Sequence, residues 1–339
     1  MLLPDRRRGV VLALLVLAAL VSGCTSGAAS PSAPSATASP SASADISTPS
    51  PTAAPAFPVT VTDDEGTAVE VASEPDAIIS LTPATTEILF ALGAGDRVVA
   101  TDDGSDFPEE AVALPDVATF SSVDVEKVVA LEPDLVLAGG LGFTPADAIT
   151  RLRDLDVPVI VVYAPSVDGV YADIELIGAA TGTAEAAATL AADMQAEIDA
   201  ISGAVSSRSP KPRVLYEVGY DSTTGAIFAP AEESFVAEMV TLAGADTITT
   251  GDPNTYEISL ESLISEDPEL IILGTNPFYA PTPDSVAARP GWDALTAVRN
   301  GDIRPVRDIE ITRPGPRLPL GLRNLASAIW PDVTLPAAG

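Results

Sequence analysis

The longest regular pattern in the chain is Thr183 to Val205, TAEAAATLAADMQAEIDAISGAV. Ala187, Leu190, Met194, Ile198, Ile201 and Val205 recur at steps of three or four, which draws one narrow apolar stripe along a helix. The stretch has no proline and is dominated by strong helix formers, with its one glycine, Gly203, near the end. Thr183 is placed to cap it, and Glu185 lies in the first turn, where a negative charge suits the helix dipole. At ~1.5 Å per residue the pattern predicts a rod of roughly 33 Å. Segments of ordinary domain size flank it, residues 57–182 and 208–331, so a backbone helix over 183–207 is expected between two halves.

In the first half, alternation on both sides of Asp64-Glu65-Gly66 predicts a hairpin over Val59–Val71. A strand at Ala77–Leu81 precedes a helix that begins near Pro83, with Thr85 or Thr86 as cap, and ends at Leu92-Gly93. Gly93-Ala94-Gly95 resembles part of a dinucleotide fingerprint but follows a helix, so Gly93 reads as a helix C-cap. Then come strand Arg97–Ala100, helix Val125–Ala130, strand Leu135–Ala138, helix Pro145–Leu155 with Thr144 as cap, strand Val159–Val162 and helix Val167–Gly178. The second half repeats the plan: strand Arg213–Val218, helix Ser234–Leu242, the segment Leu260–Ile264, strands Leu270–Leu273 and Ile303–Val306, and helix Leu318–Trp330. The expected class is α/β, with two Rossmann-like lobes of mostly parallel sheet joined by one long rigid helix.

The halves match residue by residue in places. Val123-Asp124-Val125-Glu126, Val128-Val129 and Pro133-Asp134-Leu135-Val136-Leu137 pair with Ile258-Ser259-Leu260-Glu261, Leu263-Ile264 and Pro268-Glu269-Leu270-Ile271-Ile272. Leu92-Gly93-Ala94-Gly95-Asp96 pairs with Leu242-Ala243-Gly244-Ala245-Asp246 in the same order.

Composition narrows the chemistry. A formal charge of −31 disfavours nucleic acid as a partner, because phosphate binding needs clustered Lys and Arg. The chain has no histidine, which removes His-based catalysis and His-containing metal sites, and its single cysteine excludes an intrachain disulfide. Binding is therefore favoured over catalysis, with no catalytic residue, metal site or cofactor assigned. Residues 1–24 read as a secretion signal, with Arg6-Arg7-Arg8 ahead of the apolar run Val10–Leu20. Residues 25–56 are Ser, Thr, Ala and Pro with almost no charge, a composition expected to stay disordered and to act as a tether. Residues 332–339 form a short tail.

Val21-Ser22-Gly23-Cys24 resembles the lipobox of bacterial lipoproteins, which implies lipidation of Cys24 and anchorage outside the cytoplasm. Together with the tether and the two lobes on one helix, the chain resembles the substrate-binding proteins of ABC importers for cobalamin, ferric siderophores and haem. Ile78-Ile79-Ser80-Leu81-Thr82-Pro83, Thr86 to Gly93, Val125-Glu126 through Val136, Ala243-Gly244 and Arg313-Pro314-Gly315-Pro316-Arg317 are similar to runs typical of that group, over roughly residues 57–331. The cobalamin binders are the most similar. Asp102 to Pro108 matches their loop that offers an aromatic, here Phe107, and Phe120 falls where they carry an aromatic. Gly139 to Phe143 departs from them, since they often place a tryptophan there. The resemblance implies a permease dimer as partner, with Glu126 and Glu261 as one docking acid per lobe, and Arg313 as a polar ligand contact.

The residues alone point to the same place. Ligands of open α/β sheets sit beyond the carboxyl ends of the strands. Loops at those ends carry Phe107, Phe120, Phe143, Tyr220, Tyr256, Phe278 and Tyr279, although aromatics are only 5% of the chain. Basic residues are few there, chiefly Arg313 and then Arg289, which suits a large neutral corrinoid better than an anionic siderophore. Haem remains open through a tyrosine ligand. The same residues also admit a sensor-coupled binding protein, or a secreted enzyme using Asp102, Asp103 and Asp106. One long connecting helix predicts limited lobe closure.

Overall fold

The computed structural model describes residues 57–277 and 279–338, so the expectations for residues 1–56, Cys24 among them, and for Phe278 lie outside the described residues. In the first lobe six strands lie in the order Ser122–Val123, Asp116–Thr119, Val98–Asp102, Ile78–Ser80, Leu135–Gly139, Val159–Val162. All pairs are parallel except the first. In the second lobe Asp246–Ile248, Arg213–Glu217, Leu270–Thr275 and Ile303–Arg307 form a parallel four-stranded sheet. A small antiparallel sheet of Gly219–Tyr220, Ile227–Phe228 and Glu257–Ile258 stands beside it. The strand order reverses between Ile78–Ser80 and Leu135–Gly139 in one lobe, and between Arg213–Glu217 and Leu270–Thr275 in the other.

These strands are continuous apolar runs because both faces of each sheet are covered. In the first lobe Ile79, Val136, Ala138, Val159 and Val161 face one core, while Ile78, Leu135, Leu137 and Ile160 face another. In the second lobe Leu215, Ile271, Leu273 and Ile303 face a separate core. Their neighbours Val214, Tyr216, Leu270 and Ile272 join the same core as Ile78 and Leu135. One apolar core therefore runs from lobe to lobe, and the helix Ala184–Val205 lies within it.

That helix buries Ala187, Ala191, Met194, Ile198, Ile201 and Val205. Leu190, expected in the stripe, is only half-buried and lines a groove with Leu320 and Pro336; Ala191 takes its place because the helix is held on two sides. One side packs on helix Val167–Thr181, the other on helix Leu318–Ile329. The first contact is close: a Cβ on Gly178 would stand 2.3 Å from the Ala187 Cβ, so no larger residue fits without separating the helices. Gly182, at φ 76°, makes the left-handed turn between them.

Three expected caps differ. Thr82, not Thr85 or Thr86, caps helix Pro83–Ala91, because both later threonines point into the lobe. Thr183 makes no capping bond, its hydroxyl being taken by Thr181. Thr144 accepts from the Gly139 amide instead of capping helix Ala146–Asp154.

The internal repeat is structural. Asp124 and Ser259 both cap short helices, Val125–Ala130 and Leu260–Glu266. Glu132 and Asp267 both take a left-handed turn before their prolines, at φ 48° and 44°. The second pair is offset by one: Gly93 and Gly244 are equivalent, each with positive φ and each followed by an alanine amide bonded back to the helix, to Leu89 and Val240.

The hairpin of Val59–Thr62 and Ala68–Val71 closes the exposed edge of strand Val159–Val162. The Asp64 amide donates to Val161 O at 3.1 Å, and the Val161 amide to Asp63 Oδ2 at 3.2 Å. Asp63 also holds Arg153 at 2.7 Å, and Asp64 accepts from the Tyr163 amide. Burial beneath this turn, then the Asp64 charge and hydrogen bond, push the Asp173 carboxyl from its ordinary 3.8 up to about 8. At neutral pH the folded protein thus keeps a proton that the unfolded chain has released, and stability falls as pH rises from the ordinary carboxylate range through about 8. Asp173→Asn is expected to match wild-type melting temperature near pH 4 and to exceed it increasingly up to about pH 8, measured by calorimetry across pH; parallel curves for the two proteins would exclude a buried proton at Asp173.

Candidate functional site

Loops at the carboxyl ends of the two sheets meet at two places. At one end, the loop after strand Val98–Asp102 meets the segment after strand Ile303–Arg307: Arg313 Nη1 donates to Asp106 Oδ1 at 2.5 Å and Nη2 to Gly104 O at 3.2 Å. At the other end Tyr163, just past strand Val159–Val162, has Tyr256 of the second lobe as a neighbour. Burial and then that neighbour hold the Tyr163 hydroxyl above its ordinary range. Both strand reversals lie between these contacts, which is where an open α/β sheet offers its ligand crevice.

The first lobe supplies an aromatic wall. Phe120 tips the turn between Asp116–Thr119 and Ser122–Val123, and Phe143 follows the left-handed pair Leu141 and Gly142 after strand Leu135–Gly139. Their rings stand 6.3 Å apart at 85°, edge to face. Phe120 is 74% exposed and Phe143 53%, which is unusual for side chains this apolar. Phe107 is 45% exposed and has the Arg317 guanidinium 4.5 Å above its ring. Tyr256 is 47% exposed. Tyr220, by contrast, is partly covered by its own lobe, packed edge to face on Trp292 at 6.2 Å and beneath Arg289 at 3.8 Å.

Every arginine at this crevice is answered by a carboxylate. Glu87, buried on helix Pro83–Ala91, accepts from Arg317 at 2.6 and 2.8 Å and from Arg313 at 3.1 Å, so both arginines of the Arg313–Arg317 run bind the opposite lobe. Glu310 adds 3.5 Å to Arg317 and 2.9 Å to Arg307. Arg289 is held by Glu217 at 2.5 and 3.0 Å, and the Tyr279 hydroxyl donates to the same carboxylate at 2.5 Å. Arg313, expected to contact ligand, bridges the lobes, with Nη1 shared by Glu87 and Asp106 and Nη2 given to Gly104 O. Glu87, Glu217, Glu310, Tyr163 and Trp292 do not stand out in the sequence as site residues. Glu87 carries a signal, as a lone acid inside the apolar run Thr86 to Ala91.

The acidic loop Asp102 to Asp106 is structural in build. Asp102 accepts from Ser105 Oγ at 2.5 Å and from the Gly104 amide at 3.1 Å. Burial pushes its carboxyl up, against those two bonds. Ser105 continues through Thr86 and Ser80 to Thr85 and Thr82, in steps of 2.7–2.8 Å, a buried hydroxyl network beneath the crevice. Among the described residues no three acidic or sulfur side chains are grouped to hold a metal.

Residues 78–308 match the family described as periplasmic binding protein. The chain belongs to that family. An ABC transporter substrate-binding lipoprotein of Bacillus subtilis (strain 168) is 31% identical over 96% of this chain and 98% of its own. A cobalamin-binding protein of Halobacterium salinarum is 31% identical over 80% of this chain and 74% of its own. The crystal structure of an ABC-type Fe3+-hydroxamate transport protein from Saccharomonospora viridis superposes with a TM-score of 0.66 at 27% identity, over 81% of this chain and all of that one. This periplasmic binding protein is therefore a substrate-binding component of an ABC transport system of the vitamin B12, haem or siderophore type, not an enzyme. Its family works outside the cytoplasm, and among the described residues no helix is long and apolar enough to cross a membrane.

Glu126 and Glu261 are both exposed, each at the second helical position behind Asp124 and Ser259. Each helix runs back to the start of the next parallel strand, Leu135 or Leu270, so both N-termini lie toward the crevice edge of their lobes.

Proposed function

We propose that this periplasmic binding protein captures a corrinoid in the crevice, against Phe107, Phe120, Phe143 and Tyr256, and delivers it to an ABC permease dimer. The exposed edge-to-face pair Phe120–Phe143 carries the reading: it leaves a broad apolar wall that only a large flat ligand would cover. The paired arginines support it. Haem, or a siderophore of the carboxylate or catecholate class, brings anionic groups that call for uncompensated guanidinium groups, and Arg289, Arg313 and Arg317 already have carboxylate partners. Tyr220 contributes to the wall through its neighbours, and Arg313 by fixing the Asp106–Phe107 loop to the second lobe.

Titration calorimetry against cyanocobalamin, haemin and a ferric hydroxamate tests the ligand. Cyanocobalamin should bind tightest, and Phe120→Ala should weaken it by roughly 1–3 kcal/mol through lost apolar burial. Unchanged affinity in both Phe120→Ala and Phe107→Ala would exclude this wall.

Docking rests on Glu126 and Glu261. Helix dipoles favour an acid near either N-terminus by ~0.3–1 kcal/mol, but that does not require the same acid at the same step in both lobes. A two-lobed protein seated on a two-fold symmetric permease needs one acidic knob per lobe for one basic pocket per subunit. In the double variant Glu126→Arg with Glu261→Arg, ligand affinity and melting temperature should stay near wild type while uptake in cells fails; normal uptake would leave the glutamates only their dipole role.

Anchorage rests on Cys24. Cys24→Ala is expected to move the protein from the membrane fraction to the soluble fraction or to block its processing, followed by fractionation and intact mass. A membrane-bound variant that keeps residues 1–24 would identify the apolar run as the anchor.

A further inference from the structure

The wall of the second lobe contains an anion-binding arrangement that is already filled. Arg289 lies 3.8 Å over the Tyr220 ring and 4.5 Å over Trp292, with its side chain only 8% exposed. A guanidinium held against aromatic faces, with its forked donors presented together, is the geometry that grips carboxylate or phosphate in two-point fashion. Here the forked partner is the protein's own Glu217, whose side chain is fully buried at the last position of strand Arg213–Glu217, beside the strand reversal. Nη1 donates to Oε2 at 2.5 Å and Nη2 to Oε1 at 3.0 Å. Tyr279, in the segment beyond strand Leu270–Thr275, donates its hydroxyl to Oε1 at 2.5 Å, and burial followed by Glu217 raises that hydroxyl well beyond its ordinary range. The set is closed: two donors and a phenol on one carboxylate, all charge cancelled.

Packing does not call for such a pair. Taking two charges out of water costs so much that apolar residues of the same volume commonly serve stability as well or better. What the pair does control is the charge that the wall presents. With Glu217 in place a second carboxylate meets an occupied guanidinium and a like charge behind it; without Glu217 the same guanidinium is an open anion site.

We infer that Glu217 is a specificity-determining residue: it acts as a built-in anion that fills the Arg289 site and makes this wall select neutral ligands over carboxylate-bearing ones. This rests on the crevice being the ligand site. It does not require that the ligand be a corrinoid.

The test compares probes that differ in charge, on the purified protein. In Glu217→Gln, affinity for haemin and for ferric citrate should rise at least about tenfold and fall again with added salt. The further change Arg289→Gln in that background should abolish the gain. Unchanged haemin and ferric citrate affinity in a folded Glu217→Gln protein, or a gain that persists without Arg289, overturns the inference. Should Glu217→Gln lack a melting transition, the wild-type protein decides: it is expected to bind haemin dimethyl ester more tightly than haemin, and cyanocobalamin more tightly than its carboxylate hydrolysis product. Tighter, salt-sensitive binding of the charged forms would show that Arg289 is felt by the ligand and would refute the role of Glu217. A haemin gain in Glu217→Gln without any corrinoid binding keeps this inference and removes the corrinoid reading.

Discussion

The molecule depends on one apolar core that passes from lobe to lobe through the helix Ala184–Val205. Met194, Ile198, Ile201 and Val205 share a core with Ile78 and Leu135 on one side and with Val214, Leu270 and Leu322 on the other. Wide separation of the lobes would open this core to water at about 25 cal/mol per Å² of apolar surface, a large sum against the usual stability of a domain. The close approach of Gly178 to Ala187 locks the helix to its neighbour as well. An opening that kept this core closed would be limited to small adjustments about this spine. The polar cluster of Glu87, Arg313, Arg317 and Asp106 ties the lobes a second time, nearer the crevice.

Charge balance gives the crevice its character. The chain carries 48 acidic side chains and 17 basic ones. In such a surplus each guanidinium near the lobe junction finds a carboxylate, and burial makes the pairing obligatory, since an unpaired charge in the interior is far more costly than a paired one. The result is a junction whose buried guanidinium groups are paired and which leaves Phe107, Phe120, Phe143 and Tyr256 exposed.

The aromatic wall was legible because loop aromatics are rare in this chain and their positions follow strand ends. The electrostatic half was not. Arg313 was visible as a basic residue in a sparse region, but nothing in its neighbourhood along the chain names Glu87, which lies 226 residues away. Glu217 reads as the last residue of a strand and nothing more; its partner is 72 residues on. The caps show the same limit at short range. Thr82, Thr85 and Thr86 all suit a helix start, and only the packing of Thr85 and Thr86 against Ser80 decides for Thr82.

Periodicity and composition were enough for the class of fold, the long helix, the internal repeat and the exclusion of histidine chemistry, because each is a property of neighbouring residues or of counts. Hydrophobic steps of three and four specify a helix wherever it goes, and apolar runs bounded by turns specify buried strands. What only the tertiary structure decided is which side of that helix is deepest, where Ala191 displaces Leu190, and which charges meet. A stripe on a helix does not say how many neighbours will press on it. An ion pair formed across two lobes leaves no mark in the order of the residues, because its energy arises from desolvation and distance, and both exist only once the chain is folded.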